Sequence, residues 1–436
     1  MPTRQDVGKS RRRQSRIETK QVVDKTLRGN SMNYNRLVQV ILDIGEEMLK
    51  SGAENFRLDD SLYRLCDSYG FVRSDVFVIP SNIQMTVETP EGEIITQVRH
   101  IESVSSNYDR LDYLNNLCRK ACDETPDEVE LKRRLQEVLD RPKQHPALRY
   151  IGSVMGGAGF GVFFGCDAKD AFVAAIVSLA IAGVGGWLSK KETNLLVHNS
   201  ILAFMAEVII IGFARAGICN HPSRVMIGIV MLLVSAMGVT TGMRELIQRD
   251  FISGTINIMN SLLGAAGIVF GIATAVLGLN SVASENYILT GNVWVQLISC
   301  TIACVGFALL FKIKGRQVIY SGIGAFLTWG IYVLVFDIND SNFWATLVGA
   351  CFVAAFALVM ARVNKAPATI FLTATVFPLI PGANLYYMMY GFLLQNGEMI
   401  TEQTNMLLET CVAIALGFLV VDVVMHMVTS MVRKVV

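Results

Sequence analysis

Gly159-Phe160-Gly161-Val162-Phe163-Phe164 returns 147 positions later as Gly306-Phe307-Ala308-Leu309-Leu310-Phe311. The register holds further on: Ala214-Arg215 falls on Ala361-Arg362 at the same spacing, and Pro222 falls on Pro367 after a slip of two. The C-terminal two-thirds of the chain is therefore read as two copies of one unit. Apolar stretches long enough to cross a hydrocarbon core, which takes ~20 residues as a helix, fall at about 150–166, 170–188, 198–218, 225–243, 254–279, 292–311, 317–336, 342–361, 367–394 and 406–430. Each copy holds five, and an odd number of crossings turns the second copy over relative to the first. The expected fold is a polytopic α-helical membrane protein of about ten spans, arranged as two five-span inverted repeats over 147–280 and 290–436. Such repeats mark secondary transporters. The alternating ~10-residue segments of a transmembrane β-barrel are absent.

Of the 436 residues 52% are apolar and 17% charged, and the charges crowd into the first 146 and into short connections. A soluble head, 31–146, therefore precedes the spans. Basic residues occupy every second connection: Lys132 to Arg149 before the first span, then Lys190-Lys191, Arg244 with Arg249, Lys312 with Lys314 and Arg316, Arg362 with Lys365, and Arg433-Lys434. The positive-inside bias places the head and both termini in the cytoplasm and the spans in the cell membrane. Residues 1–30 carry Arg11-Arg12-Arg13, Arg16, Lys20, Lys25 and Arg28 with no apolar core behind them. They are read as a disordered tail able to touch anionic lipid, with neither a signal peptide nor a nucleic-acid-binding role. Nine cysteines form no metal or disulfide framework, and neither a metal nor a cofactor is expected. Cys166 and Cys219 near the outer surface make only a weak candidate bridge.

In the head, apolar residues recur at helical spacing from Asn35 to Lys50, with Gly52 where a cap belongs. A second helix is read from about Glu54 to Tyr69. Strands are read at Val76–Ile79, Ile83–Val87 and Ile94–Val98, the last two joined through Thr89-Pro90-Glu91-Gly92. Helices at about Asn107–Cys122 and Asp127–Leu139 complete a small α+β domain.

Ser51-Gly52-Ala53-Glu54-Asn55-Phe56-Arg57-Leu58-Asp59-Asp60 resembles the opening signature of the threonine/serine exporter family, in which Ser-Gly-Ala-Glu is followed by an arginine and acidic residues. Pro80, Arg99, Asn107-Tyr108-Asp109-Arg110-Leu111 and Leu114-Asn115 resemble further landmarks of the same module. The spans resemble the family's two membrane modules, separate chains in some bacteria and fused here. The resemblance covers nearly everything after residue 35.

The family's soluble module has been likened to a hydrolase, which makes Glu54, Arg57, Asp59 and Asp60 a candidate polar site. The head, however, holds only His100 and His145, with no His-x-Glu pair and no Gly-x-Ser-x-Gly elbow. Helix-surface pairing of Glu54 with Arg57 at i, i+3 accounts for their spacing. A structural or coupling role is preferred over catalysis, and the chain is read as a non-enzyme.

Phe377-Pro378-Leu379-Ile380-Pro381-Gly382-Ala383-Asn384 falls near the middle of the ninth stretch. Two prolines three apart remove two backbone donors, and Gly382 tolerates irregular backbone. A break at membrane depth survives only where protein or a water-filled cavity satisfies it, and freed carbonyls at such breaks commonly line substrate sites. Pro378, Pro381, Gly382 and Asn384 are therefore candidate substrate residues, Asn384 offering a neutral donor and acceptor. The equivalent Leu232-Leu233-Val234-Ser235-Ala236 lacks the Pro-Gly that the resemblance leads one to expect. Val239-Thr240-Thr241-Gly242-Met243-Arg244-Glu245-Leu246, Asp250 and Ser253-Gly254 resemble the family's next landmarks, with Glu245 in place of an aspartate and Arg249 in place of a glycine. Thr240 and Thr241 join the candidate substrate residues, and Arg244, Glu245 and Asp250 are assigned to gating.

Ionisable residues within spans are costly and so are functional candidates. Glu207 lies halfway along the third stretch, and Asp422 and His426 lie at i, i+4 in the last; these three are the candidates for proton coupling. Asn257 and Asn260 more commonly serve packing between helices. Glycine runs such as Gly152, Gly156, Gly157, Gly159 and Gly161 let helices approach closely, within one chain or in a homo-oligomer. With no phosphate-binding loop to use ATP, the expected function is proton-coupled, alternating-access export of small polar metabolites. Threonine and serine lead by resemblance, a small dicarboxylate such as succinate stands second, and a membrane-anchored hydrolase or sensor is the alternative of another class.

Overall fold

The computed structural model describes residues 32–102, 104–142, 144–192, 194–234, 236–279 and 292–435; the basic tail 1–30 and the loop around Ser284-Glu285-Asn286 lie outside them. The N-terminal segment follows its sequence pattern. Helix α1, Tyr34–Lys50, is capped by the Asn33 side chain, which accepts from Arg36 N, and buries Leu37, Ile41, Leu42 and Ile44. Gly52, at φ 92°, turns the chain into α2, Asn55–Ser68. Three antiparallel strands follow in order: β1, Arg73–Ile79; β2, Asn82–Glu88; β3, Ile94–His100. In β2 the alternate residues Ile83, Met85 and Val87 are buried, the period-2 pattern of a sheet with one covered face. Helices α3, Tyr108–Glu124, and α4, Glu128–Leu139, start on the side chains of Asn107 and Asp127. All seven elements match those read from the sequence, the strands being longer by a few residues at their ends.

Helices fill the remainder: α5, Pro146–Phe163; α6, Ala168–Leu188; α7, Leu195–Arg215; α8, Pro222–Leu233; α9, Ala236–Ile247; α10, Phe251–Gly278; α11, Val293–Leu310; α12, Arg316–Asn339; α13, Asn342–Asn364; α14, Ala368–Val376; α15, Gly382–Leu394; and α16, Gly397–Val435. Asp167, Asn194, Asp250 and Asn292 each accept a hydrogen bond from the first turn of the helix they precede. The chain is a multi-pass membrane protein: seven described helices are long and apolar enough to cross a bilayer, or nine if two bent pairs each count as one span. Those pairs are α8 with α9, bent by 50°, and α14 with α15, bent by 56° across a 3₁₀ turn at Phe377–Leu379. The first expected span, α5, is not among the nine. Its five glycines and Arg149 lower its hydropathy, and the glycines fit it for close packing.

That packing is backbone against backbone. A Cβ on Gly152 would sit 2.7 Å from the Gly306 carbonyl oxygen, and one on Gly159 would sit 2.9 Å from Ala303 N. The motif quoted at the outset thus meets its own repeat, with Phe160 packed edge-on to Phe307 at 5.7 Å between ring centroids. Phe307 in turn stacks on Phe377 at 4.2 Å, beside the second break. The N-terminal segment docks on this centre. Tyr108 N donates to the Phe311 carbonyl at 3.1 Å, and Lys314 Nζ reaches Asp109 at 2.5 Å.

Candidate functional site

A cavity of about 490 Å³ opens where the N-terminal segment meets both bends. Gly52–Asn55 and Tyr108 form one wall, Leu233, Val234, Thr240, Thr241, Arg244 and Glu245 a second, and Thr369, Thr373, Phe377, Ile380 and Gly382 a third. Local chain geometry explains the placement. The φ of Gly52 aims Ser51–Asn55 back toward the spans, and a side chain there would press on the Ser105 carbonyl at 3.3 Å. Glu54 occupies the N-cap position of α2 without capping it. Its carboxylate instead accepts from Arg57 Nε at 3.2 Å and pairs with Arg244 Nη2 at 2.8 Å. Both members of the Glu54–Arg244 pair are nearly buried, with side chains 12% and 10% exposed. Burial pushes the Glu54 carboxyl up, but the guanidiniums of Arg244 and Arg57 overcome this and hold it at about 2.

The next residues pair in parallel. Asn55 Nδ2 donates to Glu245 Oε1 at 3.3 Å, while Asn257 Nδ2 donates to Glu245 Oε2 at 2.7 Å. Arg244 is the single Lys, Arg or His among the described lining residues. Its Nε is buried without a partner, as is Thr369 Oγ1 across the cavity. The Tyr108 hydroxyl shares a 3.0 Å hydrogen bond with Thr373 Oγ1, and burial pushes its pKa up to about 12. It stays neutral, holding the third wall against the first.

The expected site residues divide between this cavity and other places. Thr240, Thr241 and Gly382 line it, as do Glu54, Arg244 and Glu245, which the sequence alone divides between a head motif and a gating group. Pro378 and Pro381 are buried behind the lining residues Phe377, Ile380 and Gly382. Asn384 does not line the cavity; it donates to Gln403 Oε1 of α16 at 3.1 Å. Two residues past Gly382 is about 200° around a helix, which carries its side chain to the far side. Asp250 caps α10 through Ser253 N at 3.2 Å. Arg249, at φ 70°, takes the left-handed backbone that explains a glycine in the resembled pattern. Asp59 is partly buried, its pKa raised by burial and by neighbouring Asp60 and Asp250, while Asp60 pairs with Arg64 at the surface.

Glu207 lies apart from the cavity, its Oε2 buried without a partner and within electrostatic reach of Tyr386 and Tyr390 on α15. Asp422 lies within such reach of Arg244 and Glu54, whereas the side chain of His426 falls outside the described set. Sequence reasoning missed the Arg244 and Glu245 partners in the N-terminal segment and also missed Asp170. The buried Asp170 carboxylate accepts from the backbone of Asn220 at 2.8 Å and His221 at 3.1 Å. With Asp167 and His221 it forms the one metal-compatible triad among the described residues, ligand atoms lying within 4.8 Å of one another. Its oxygens are already engaged in tying α6 to the start of α8.

A bundle of apolar helices, two of them broken around a polar cavity that a small α+β segment closes, has the make-up of a membrane transport protein. The chain belongs to the threonine/serine exporter family: a profile described as "Putative threonine/serine exporter" matches residues 39–278, and a second, "Threonine/Serine exporter, ThrE", matches 296–424. Among curated proteins it is 22% identical over 396 residues to the threonine/serine exporter of Corynebacterium glutamicum, covering 86% of this chain and 79% of that one. It is also 22% identical over 408 residues to a "Probable threonine/serine exporter" of Mycobacterium tuberculosis, covering 89% and 76%. These relatives are named as exporters rather than enzymes. No solved structure matches the chain.

Proposed function

We propose that this protein exports threonine, serine or closely related amino acids across the cell membrane, by alternating access coupled to protons. The observation that carries the reading is the cavity at the meeting of two broken spans, polar through Thr240, Thr241, Glu245 and Thr369 and holding one cation, Arg244. A zwitterion needs one group of each sign. A dicarboxylate such as succinate is matched less well, because Glu54 and Glu245 face it with Arg244 alone to oppose them. The head-hydrolase alternative finds little support, since the described lining residues include no histidine and no cysteine.

The same proposal takes 1–30 as a tail, 31–146 as a cytoplasmic head, and 147–280 and 290–436 as five-span copies of opposite orientation, with α5 as the tenth span. Atom-level correspondence supports the repeat. A Cβ on Gly271 of α10 would crowd Ser200 O, Phe204 N and Ala203 Cβ of α7; one on Gly417 of α16 would crowd Leu347 O, Cys351 N and Ala350 Cβ of α13. The three contacted positions correspond at a spacing of 147, Ser200 with Leu347, Ala203 with Ala350 and Phe204 with Cys351, and the two glycines at 146. Basic residues in alternate connections support cytoplasmic head and termini, and Glu207 is the candidate proton carrier. Counterflow of labelled threonine, serine and succinate in proteoliposomes, with and without a pH gradient, tests the reading. Movement of threonine or serine is expected; flux of succinate alone would move the assignment to dicarboxylates.

A further inference from the structure

The head sets two consecutive residues on two consecutive residues of α9: the Glu54 carboxylate on the Arg244 guanidinium, and the Asn55 amide N–H on the Glu245 carboxylate. An α-amino acid carries the same two groups, a carboxylate and an N–H donor. We infer that Arg244 and Glu245 are the substrate's zwitterion site, and that Glu54-Asn55 is a tethered mimic that fills it until substrate takes its place. The inference rests on the amino-acid exporter reading and adds to it the residues that bind the ammonium and carboxylate and the role of the head.

Three observations carry it. Arg244 is the one cationic residue among the described residues lining the cavity, so a substrate carboxylate has no other charged partner there, and Glu54 already holds it. Arg244 Nε and Thr369 Oγ1 are buried donors without partners, a costly arrangement that an entering carboxylate or hydroxyl relieves. Glu245 is held by two neutral amides, from Asn55 and Asn257, so an arriving ammonium exchanges a weak neutral contact for a charged one. Glu54 is not stranded by the exchange, because Arg57 one turn along α2 already contacts the same carboxylate oxygen at 3.2 Å. A carboxylate that leaves Arg244 therefore stays paired. Asp422, on α16, adds negative potential near Arg244 and disfavours a second anion in the site.

The test measures binding of labelled threonine to the full-length protein in nanodiscs. A plug that holds the site about nine-tenths of the time weakens apparent affinity about 10-fold. Glu54→Gln is therefore expected to tighten threonine binding by about that factor, Asn55→Ala to tighten it less, and Arg244→Gln to abolish it. In the unaltered protein, saturating threonine is expected to raise hydrogen exchange across residues 52–58; this arm decides the matter if Glu54→Gln does not purify as a monodisperse protein. Unaltered protein that carries threonine, with Glu54→Gln binding it no more tightly or Arg244→Gln binding it undiminished, overturns the tethered mimic alone. Unaltered protein that neither binds nor carries threonine or serine overturns the exporter reading and the mimic together.

Discussion

Val234 and Ile380, 146 positions apart, hold nearly the same extended backbone, φ −71°, ψ 128° and φ −70°, ψ 124°, each as the residue where its span stops being helical. The two breaks face each other across the cavity. Only the second contains prolines, so the two are stabilised differently: Pro378 and Pro381 forbid continuous helix at Ile380, whereas packing must hold Val234 extended.

Pro381→Ala restores a backbone donor and removes the ring clash, which costs roughly 3 kcal/mol in a helix interior. The span is expected to straighten, with threonine counterflow falling at least about 10-fold while the protein stays monodisperse. Unchanged counterflow would show that Pro381 is not what holds the second break, leaving Pro378 and packing to do so.

The contribution of the Glu54–Arg244 pair to docking of the N-terminal segment should not vary between pH 5 and 8. The Glu54 carboxyl lies at about 2 against an ordinary 4.5, so the stabilisation is complete above the ordinary value and is lost as pH falls toward 2, below the working range. The difference corresponds to about 3 kcal/mol. Hydrogen exchange at 52–58 should rise in Glu54→Gln at every pH between 5 and 8; exchange equal to that of the unaltered protein would contradict the buried pair.

Gly271→Ala and Gly417→Ala should each lower the melting temperature in detergent, since overpacking against a neighbouring backbone costs roughly 1–3 kcal/mol. Gly183→Ala, where an added Cβ meets nothing within 4 Å, is the control and should melt as the unaltered protein does. Equal melting of all three would show that α7 with α10, and α13 with α16, pack less closely than described.

Glu207→Gln keeps the shape of a carboxyl group that has a buried oxygen without a partner. It should preserve threonine counterflow, which moves no net proton, and remove the stimulation of efflux by an imposed pH gradient. Retained stimulation would exclude Glu207 as the coupling group.

The legible parts of the fold were those set by local rules. Gly52 closes the first helix, helices begin near Asn107 and Asp127, β2 alternates, and Pro378 with Pro381 announces a break. The break at Val234 was not legible because no residue there forbids helix. Glu54 with Arg244 and Asn55 with Glu245 were read as separate features since 190 positions divide each pair, and nothing in a single sequence says which distant charges meet. The sequence sets Asn384 two residues past Gly382, but rotation around α15 turns its side chain to Gln403 instead.

The N-terminal segment grips two parts of the helical bundle at once: Glu54 and Asn55 hold α9, while Tyr108 and Asp109 hold Phe311, Thr373 and Lys314. A brace fixed at both ends resists any rocking of one half against the other. Transport of that kind must therefore unfasten one end in each cycle, and the Glu54 end is the one that a solute can compete for. Under the proposed rocking, the N-terminal segment would work as an escapement, letting the bundle advance one step for each molecule that arrives.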